Sequence, residues 1–407
     1  MHNPQVSGKS NIVYSCNLFN RYSCRNFWSR LWFFSRGNIY NLDFNGYFNQ
    51  SKCNLEKIMS NPIDLKTVKI FEPLKKKPAL KPSNDSILNP DETYEVLAKH
   101  SNETVSLWFK LQQAWCNNAY NTFKDYDSYL ILVYLVNQVF QKYSDRFQYL
   151  SYEEFYAKNE LVIEKINLIE ISKELNIPKE TIRRKVNFLQ DEKIIFRKGK
   201  SIFFNNAINR VQRPANSKKM MANFLEKTSL ILQREPWFGK SYNKEVIEEF
   251  IDKYFTICWQ HWFRLQIPFL VRHRTFFGDL ETWNVWGSIG ISQFTDYSKQ
   301  VRERVEEDPR TYADLYLHLL RHTPKNGINA SSISEISTIP RATVIRKLKY
   351  LLKQKLVFKN KKLEYMLLPS PKNIKSFEQN YMHNQKHKAG FVTTIFDLMK
   401  NSSFKVE

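Results

Sequence analysis

Cationic side chains gather at two places in the sequence. From Pro178 to Lys200 there are eight Lys/Arg against three Asp/Glu; from Pro340 to Lys362 there are nine Lys/Arg and no acid. These windows hold 14 of the 22 excess positive charges of the chain. Ammonium and guanidinium groups at that density are suited to gripping phosphate, and a guanidinium also forks onto guanine O6 and N7. Catalytic chemistry has no comparable support: HExxH, GxSxG, Walker and paired-carboxylate spacings are all missing, so no enzyme is expected. His318 and His322, and again His383 and His387, stand four apart, but without a third ligand they read as solvated histidines rather than a metal site. The five cysteines include no CxxC spacing and read as reduced thiols. No metal and no cofactor is implied.

The composition agrees with a folded, polyanion-binding chain. Its 407 residues allow two or three domains, and hydrophobic residues at 42%, with aromatics at 15%, are enough for a core. A net charge of +22 predicts nucleic acid as partner before an anionic membrane. No apolar stretch reaches the length of a membrane span, so a cytoplasmic, nucleoid-associated location is expected. Glu245–Asp252 and Glu303–Asp308 read as solvated acidic helix faces that keep the polyanion on one side.

The cationic windows belong to a longer internal match. Ile177 to Phe196 aligns with Ile339 to Phe358 with eight identities in twenty positions, at an offset of 162. Upstream, Trp108-Phe109-Lys110-Leu111-Gln112 aligns with Trp262-Phe263-Arg264-Leu265-Gln266 at an offset of 154. Phe123/Phe277, Asp125/Asp279, Phe140/Phe294, Tyr143/Tyr297 and Ser144/Ser298 continue that register. The block order is the same, so an internal duplication with an eight-residue insertion in the second copy is expected.

Each copy must position its cations on a helix. In the first, Leu130 to Phe140 is apolar enough for a buried helix. Ile169 to Leu175 is a short helix, Asn176 tolerates the left-handed stop, and Pro178 opens a second helix. There Ile182, Val186 and Leu189 make one buried stripe, leaving Lys179, Arg183, Arg184 and Asn187 on other faces. Two β-prone runs, Ile194–Phe196 and Ser201–Phe204, flank the tip Arg197-Lys198-Gly199-Lys200. In the second copy the stripe is Val344, Leu348 and Leu351, and the tip is Lys359-Asn360-Lys361-Lys362. Two departures stand out: Thr338 replaces Asn176, a poorer helix stop, and Ile345 replaces Arg183. Helix, sharp turn, helix and β-ribbon is the winged helix-turn-helix arrangement, so the expected fold is mainly α with small β wings, in two tandem modules.

Ile177–Ile195 and Ile339–Val357 resemble the recognition segment of bacterial winged helix-turn-helix transcriptional regulators of the MarR and GntR kind, over about 40 residues in each copy. The resemblance implies double-stranded DNA as partner, read by two modules acting as a pseudo-dimer, with transcriptional regulation as the activity. Lys179, Thr181, Arg183, Arg184 and Asn187, with Arg341, Thr343, Arg346, Lys347 and Lys349, are the candidate helix contacts. Arg197, Lys198, Lys200, Lys359, Lys361 and Lys362 are the candidate wing contacts. A plasmid-type replication initiator binding repeated origin sites is the first alternative, and a winged-helix RNA- or protein-interaction protein the second. The aromatics Trp108, Trp115, Trp259, Trp262, Trp283 and Trp286 read as core packing, with a small-effector pocket or a homodimer interface as the sharper use.

The expected organisation is an N-terminal segment 1–58, then a Lys/Pro-rich arm 59–95, module A at 96–208, a connector 209–248, module B at 249–369 and a helical tail 370–407. Residues 1–58 differ in composition, being rich in Asn, Ser, Phe and Tyr. One expectation is that synthesis starts at Met59 and this segment is not part of the natural protein.

Overall fold

Apolar side chains recur at helical spacing through most of the chain after residue 88, and the computed structural model is mainly helical with small antiparallel sheets. It describes residues 30–35, 38–43, 88–146, 148–163, 166–198, 201–205, 214–302 and 327–402. Two units are distinguished, Met1–Lys75 and Lys76–Glu407. In the first, Arg30–Ser35 (β1) pairs antiparallel with Asn38–Asp43 (β2), Phe33 opposite Tyr40. Residues 59–87 of the arm, the pair His318/His322 and the acidic run Glu303–Asp308 lie outside the described residues, and the arm's last residues, from Pro90, are helical.

The second unit opens with Pro90–Lys99 (α1), begun by an Asn89 cap and a proline whose missing N–H is not needed there. Ser101–Phe123 (α2) ends at Lys124 in the left-handed conformation, and Asp125 caps Tyr126–Asp145 (α3). A Ser151/Glu154 capping box starts Tyr152–Ala157 (α4). Glu160–Ile163 (β3), Leu168–Leu175 (α5), Lys179–Asp191 (α6), Ile195–Lys198 (β4) and Ser201–Asn205 (β5) complete the first half. Ala215–Leu232 (α7) and Lys244–Lys253 (α8) connect it to Phe255–Phe277 (α9), Leu280–Arg302 (α10), Ala330–Ser337 (α11), Arg341–Lys353 (α12), Val357–Lys359 (β6) and Tyr365–Leu367 (β7). Pro371–Asn401 (α13) closes the chain. The acidic segment Glu245–Asp252 lies in α8, whose other side buries Ile247, Phe250 and Ile251.

The two halves share one core. α2 packs on α10 as well as on the connecting helix α7, and α3 packs on α9, so each long helix has a long-helix partner in the other half. Phe109 of α2 stacks on Phe294 of α10 at 4.6 Å between ring centroids, and Phe140 of α3 stacks on Phe263 of α9 at 5.7 Å. These are the same two positions of the internal match, exchanged between halves, as in a contact made across a two-fold axis. Trp108, Trp115, Trp259, Trp262, Trp283 and Trp286 are all buried. Trp262 meets Trp108 edge-on at 6.2 Å and Trp115 at 5.5 Å. The buried thiols Cys116 and Cys258 are free, and their apolar surroundings push both far above the ordinary thiol range. α13 lies along α1 and α9, with Thr393 donating to Thr93 at 2.9 Å.

The sheets differ from expectation in one respect. Beside the expected ribbon β4–β5, β3 adds a third strand, giving the order β3-β5-β4. Leu161 and Ile163 are buried and pair with Phe204 and Ile202, but four residues of alternation are too short a signal to read as a strand. The second half has β6–β7 with a bridge from Ile328 to Tyr365.

Thr338 takes the same left-handed conformation as Asn176, with φ of 58° against 51°. The turn holds despite the β-branched residue, which carries the steric cost of positive φ and a buried hydroxyl with no hydrogen-bond partner among the described residues. Thr338→Asn is expected to raise stability by about 1 kcal/mol, seen as a higher midpoint in thermal or urea unfolding; an unchanged or lower midpoint would show that the turn is unstrained.

Candidate nucleic-acid interface

The two helix-turn-helix segments are built with the same local chemistry. Asn167 caps α5 by accepting from the amides of Ile169 and Glu170, and Asn329 caps α11 by accepting from Ser331 and Ser332. Ser172 Oγ donates to the Ile177 carbonyl at 2.6 Å, and Ser334 Oγ donates to the Ile339 carbonyl at 2.6 Å, bracing the tight turn. Pro178 and Pro340 then enter the second helix with identical backbone angles, φ −53° and ψ 136°. Ile182, Val186 and Leu189 bury one face of α6; Val344, Leu348 and Leu351 bury that of α12. After each helix Lys193 and Lys355 turn the chain with positive φ into the ribbon.

This packing sorts the cations. Lys179, Arg183, Arg184 and Asn187 are exposed along α6, with Thr181 half-buried. Arg341, Arg346 and Lys349 are exposed along α12, with Thr343 half-buried. On the ribbons Arg197, Lys198, Lys359, Lys361 and Lys362 are exposed, whereas Lys200 lies outside the described residues. Several are already engaged. The Arg183 guanidinium forks onto the Glu180 carboxylate, its Nε at 3.0 and 3.1 Å. Lys198 Nζ lies 2.6 Å from Glu160 of β3 and over the rings of Phe196 and Phe203. Arg341 donates to Ser331 Oγ at 3.2 Å, and Lys359 lies over the Tyr365 ring. Arg184, Arg346 and Lys349 make no ion pair among the described residues.

Lys347 is the exception to the outward pattern. Its side chain is only 13% exposed, and Nζ sits 2.5 Å from Asp279. Lys185, at the matching position of α6, sits 2.8 Å from Asp125. Each aspartate is also the cap of the long helix behind it: Asp125 accepts from the Ser128 amide and Asp279 from the Thr282 amide. Against the opposing effect of burial, these lysines and amides hold both carboxyls below their ordinary range. Lys347 thus supports α12 from beneath rather than lying on its outer face.

Contacts between halves fix the turns. Arg274 of α9 grips Asp127 of α3 through Nε at 2.8 Å and donates to the Asn176 carbonyl at 3.0 Å. The Asn176 amide donates to Thr275 Oγ1 at 3.0 Å. In the other direction Asn117 of α2 donates to the Ile336 carbonyl at 2.6 Å, and Asn284 Nδ2 bridges Tyr126 Oη at 2.6 Å and the Ser337 carbonyl at 3.2 Å. Each half's first long helix therefore holds the other half's turn. Sequence reasoning missed Lys185 and its aspartate partner, and it missed Phe188 and Tyr350. These two aromatics stand at matching positions of α6 and α12 and are more than a third exposed. The offset of 162 was the available signal.

Comparison with protein-family models, curated proteins and solved structures finds no match for the chain. No helix among the described residues is long and apolar enough to cross a membrane, and no group of His, Cys, Asp or Glu there is disposed to hold a metal ion.

Glu281, in the first turn of α10, is a pH-sensitive group at the base of this surface. Burial, aided by the charges of Asp279 and Asp125, pushes its carboxyl up to about 7. In an unfolded chain it ionises near the ordinary value of 4.5, so the folded state loses stability as the pH rises from about 4.5 to about 7. Glu281→Gln is expected to raise the melting midpoint by a few degrees at pH 8 and to leave it unchanged at pH 4. Equal midpoints at both pH values would show that Glu281 ionises freely in the folded protein.

Proposed function

We propose that this protein binds double-stranded DNA sequence-specifically through two winged helix-turn-helix modules, related by internal duplication and held as a pseudo-dimer within one chain, and that it regulates transcription. The observation that carries the reading is the recurrence, 162 positions apart, of an exposed cationic helix face seated on a capped long helix by a Lys–Asp pair. A helix with that face fits the major groove, and a basic ribbon beside it reaches backbone or minor groove. The reciprocal Phe stacking supports a two-fold relation between the helices. Two recognition helices so related read half-sites about 10 bp apart, on an imperfect palindrome because α6 and α12 differ in their outward residues.

Within this reading Arg184 and Arg346 are the leading candidates for base contacts, since they match each other and carry no ion pair among the described residues. Lys361 and Lys362 contact phosphate from the ribbon tip. Lys185 and Lys347 position the helices without touching DNA.

Selection from random duplex DNA followed by titration of the enriched site tests the proposal. Enrichment of a two-part site is expected, with affinity falling steeply with salt, at a log–log slope near −7 if about eight phosphates are neutralised. Arg184→Ala and Arg346→Ala should each weaken that site about 10- to 100-fold and relax its sequence preference, with little effect on random duplex. Failure to enrich any duplex at low salt, or equal affinity for single-stranded RNA, would sink the reading.

A further inference from the structure

A cavity of about 60 Å³ lies where α2, α9, α10 and α13 meet. Its walls are largely aromatic. Trp286 stacks on Phe377 at 5.1 Å, Trp283 meets Phe269 edge-on at 5.4 Å, and Trp108 contributes from α2. Two polar groups in this wall find no hydrogen-bond partner among the described residues: both ends of the Gln112 amide, and the Trp286 indole N–H. Gln112 is 3% exposed and Trp286 is 3% exposed, so bulk water does not serve them. Folded proteins leave few such groups unmatched, because a buried donor or acceptor without a partner is costly. Two further polar side chains of the lining are engaged: Asn384 Oδ1 accepts from Arg272, and His273 Nδ1 is 2.7 Å from the Phe269 carbonyl. Burial pushes the His273 imidazole down to about 4, so it is neutral at physiological pH. Among the described residues no Asp, Glu, Lys or Arg lines the cavity to compensate a ligand charge.

We propose that this cavity is a binding site for a small neutral lactam or cyclic urea. The amide edge of such a ring presents one acceptor beside one donor, which is the complement of the Gln112 side chain. Its carbonyl has a second lone pair for the Trp286 N–H, and the flat ring suits the aromatic walls. A water-sized sphere takes roughly 10–15 Å³, so the space suits about four to six non-hydrogen atoms. The site is independent of the DNA-binding reading and is tested without DNA.

The full chain is titrated with 2-pyrrolidinone, followed by tryptophan fluorescence and calorimetry. Cyclopentanone, of the same size but without the N–H, serves as the comparison. Saturable quenching with Kd on the order of 1 mM is expected for 2-pyrrolidinone, and binding about tenfold weaker for cyclopentanone. Gln112→Met should remove the difference between the two. Gln266→Met, which changes the matching buried glutamine outside the cavity, should preserve it. Equal response to both compounds in the unmodified protein would show apolar partitioning, and no saturation would show a site filled by water; either overturns the proposal.

Discussion

Everything outward in this protein depends on the burial of four long helices against one another across its two halves. α2 and α9 each carry the series Trp-Phe-(Lys/Arg)-Leu-Gln, and their rings reach across to α10 and α3 instead of folding back on their own half. Aromatic pairs of this kind contribute about 0.5–1.5 kcal/mol each beyond the area they bury. Exchanged contacts have a geometric consequence as well. Neither half can move as a rigid body without opening the other, so the two cationic helices sit on one frame.

Asp125 and Asp279 link that frame to the surface. Each satisfies an orphan amide at the start of a long helix and holds the lysine on the inner flank of the short helix above it. A single carboxylate thus sets helix start and helix placement together. The cost is local: burial at the start of α10, aided by the nearby charges of Asp279 and Asp125 and opposed by that of Lys347, keeps the proton on Glu281 to near neutrality. The polar links Arg274–Asn176 and Asn117–Ile336 then hold each turn from the opposite half.

Some of this was legible in residue order. The stripes Ile182/Val186/Leu189 and Val344/Leu348/Leu351 follow from 3.6 residues per turn, and each is buried as spaced. The turn at Asn176 was legible because Asn tolerates positive φ. At Thr338 the propensity argument points the other way, and the packing of Ile333 and Ile339 prevails over it. β3 was not legible, because four residues of alternation acquire meaning only when β5 lies beside them. Nor was the state of individual cations: Arg183, Lys198 and Lys347 are alike in sequence terms, yet each meets a carboxylate, two of them contributed by elements distant along the chain.

Periodicity and residue type therefore determined the paired short helices, their buried stripes and the gathering of positive charge at two matched places, because these depend on spacing along one helix. Which half packs on which, which cations remain unpaired and where an amide is stranded beside an aromatic cavity were decided only by the tertiary structure. Those properties depend on distances of a few ångströms between residues far apart along the chain, 219 positions in the case of Asn117 and Ile336. No local pattern encodes such distances.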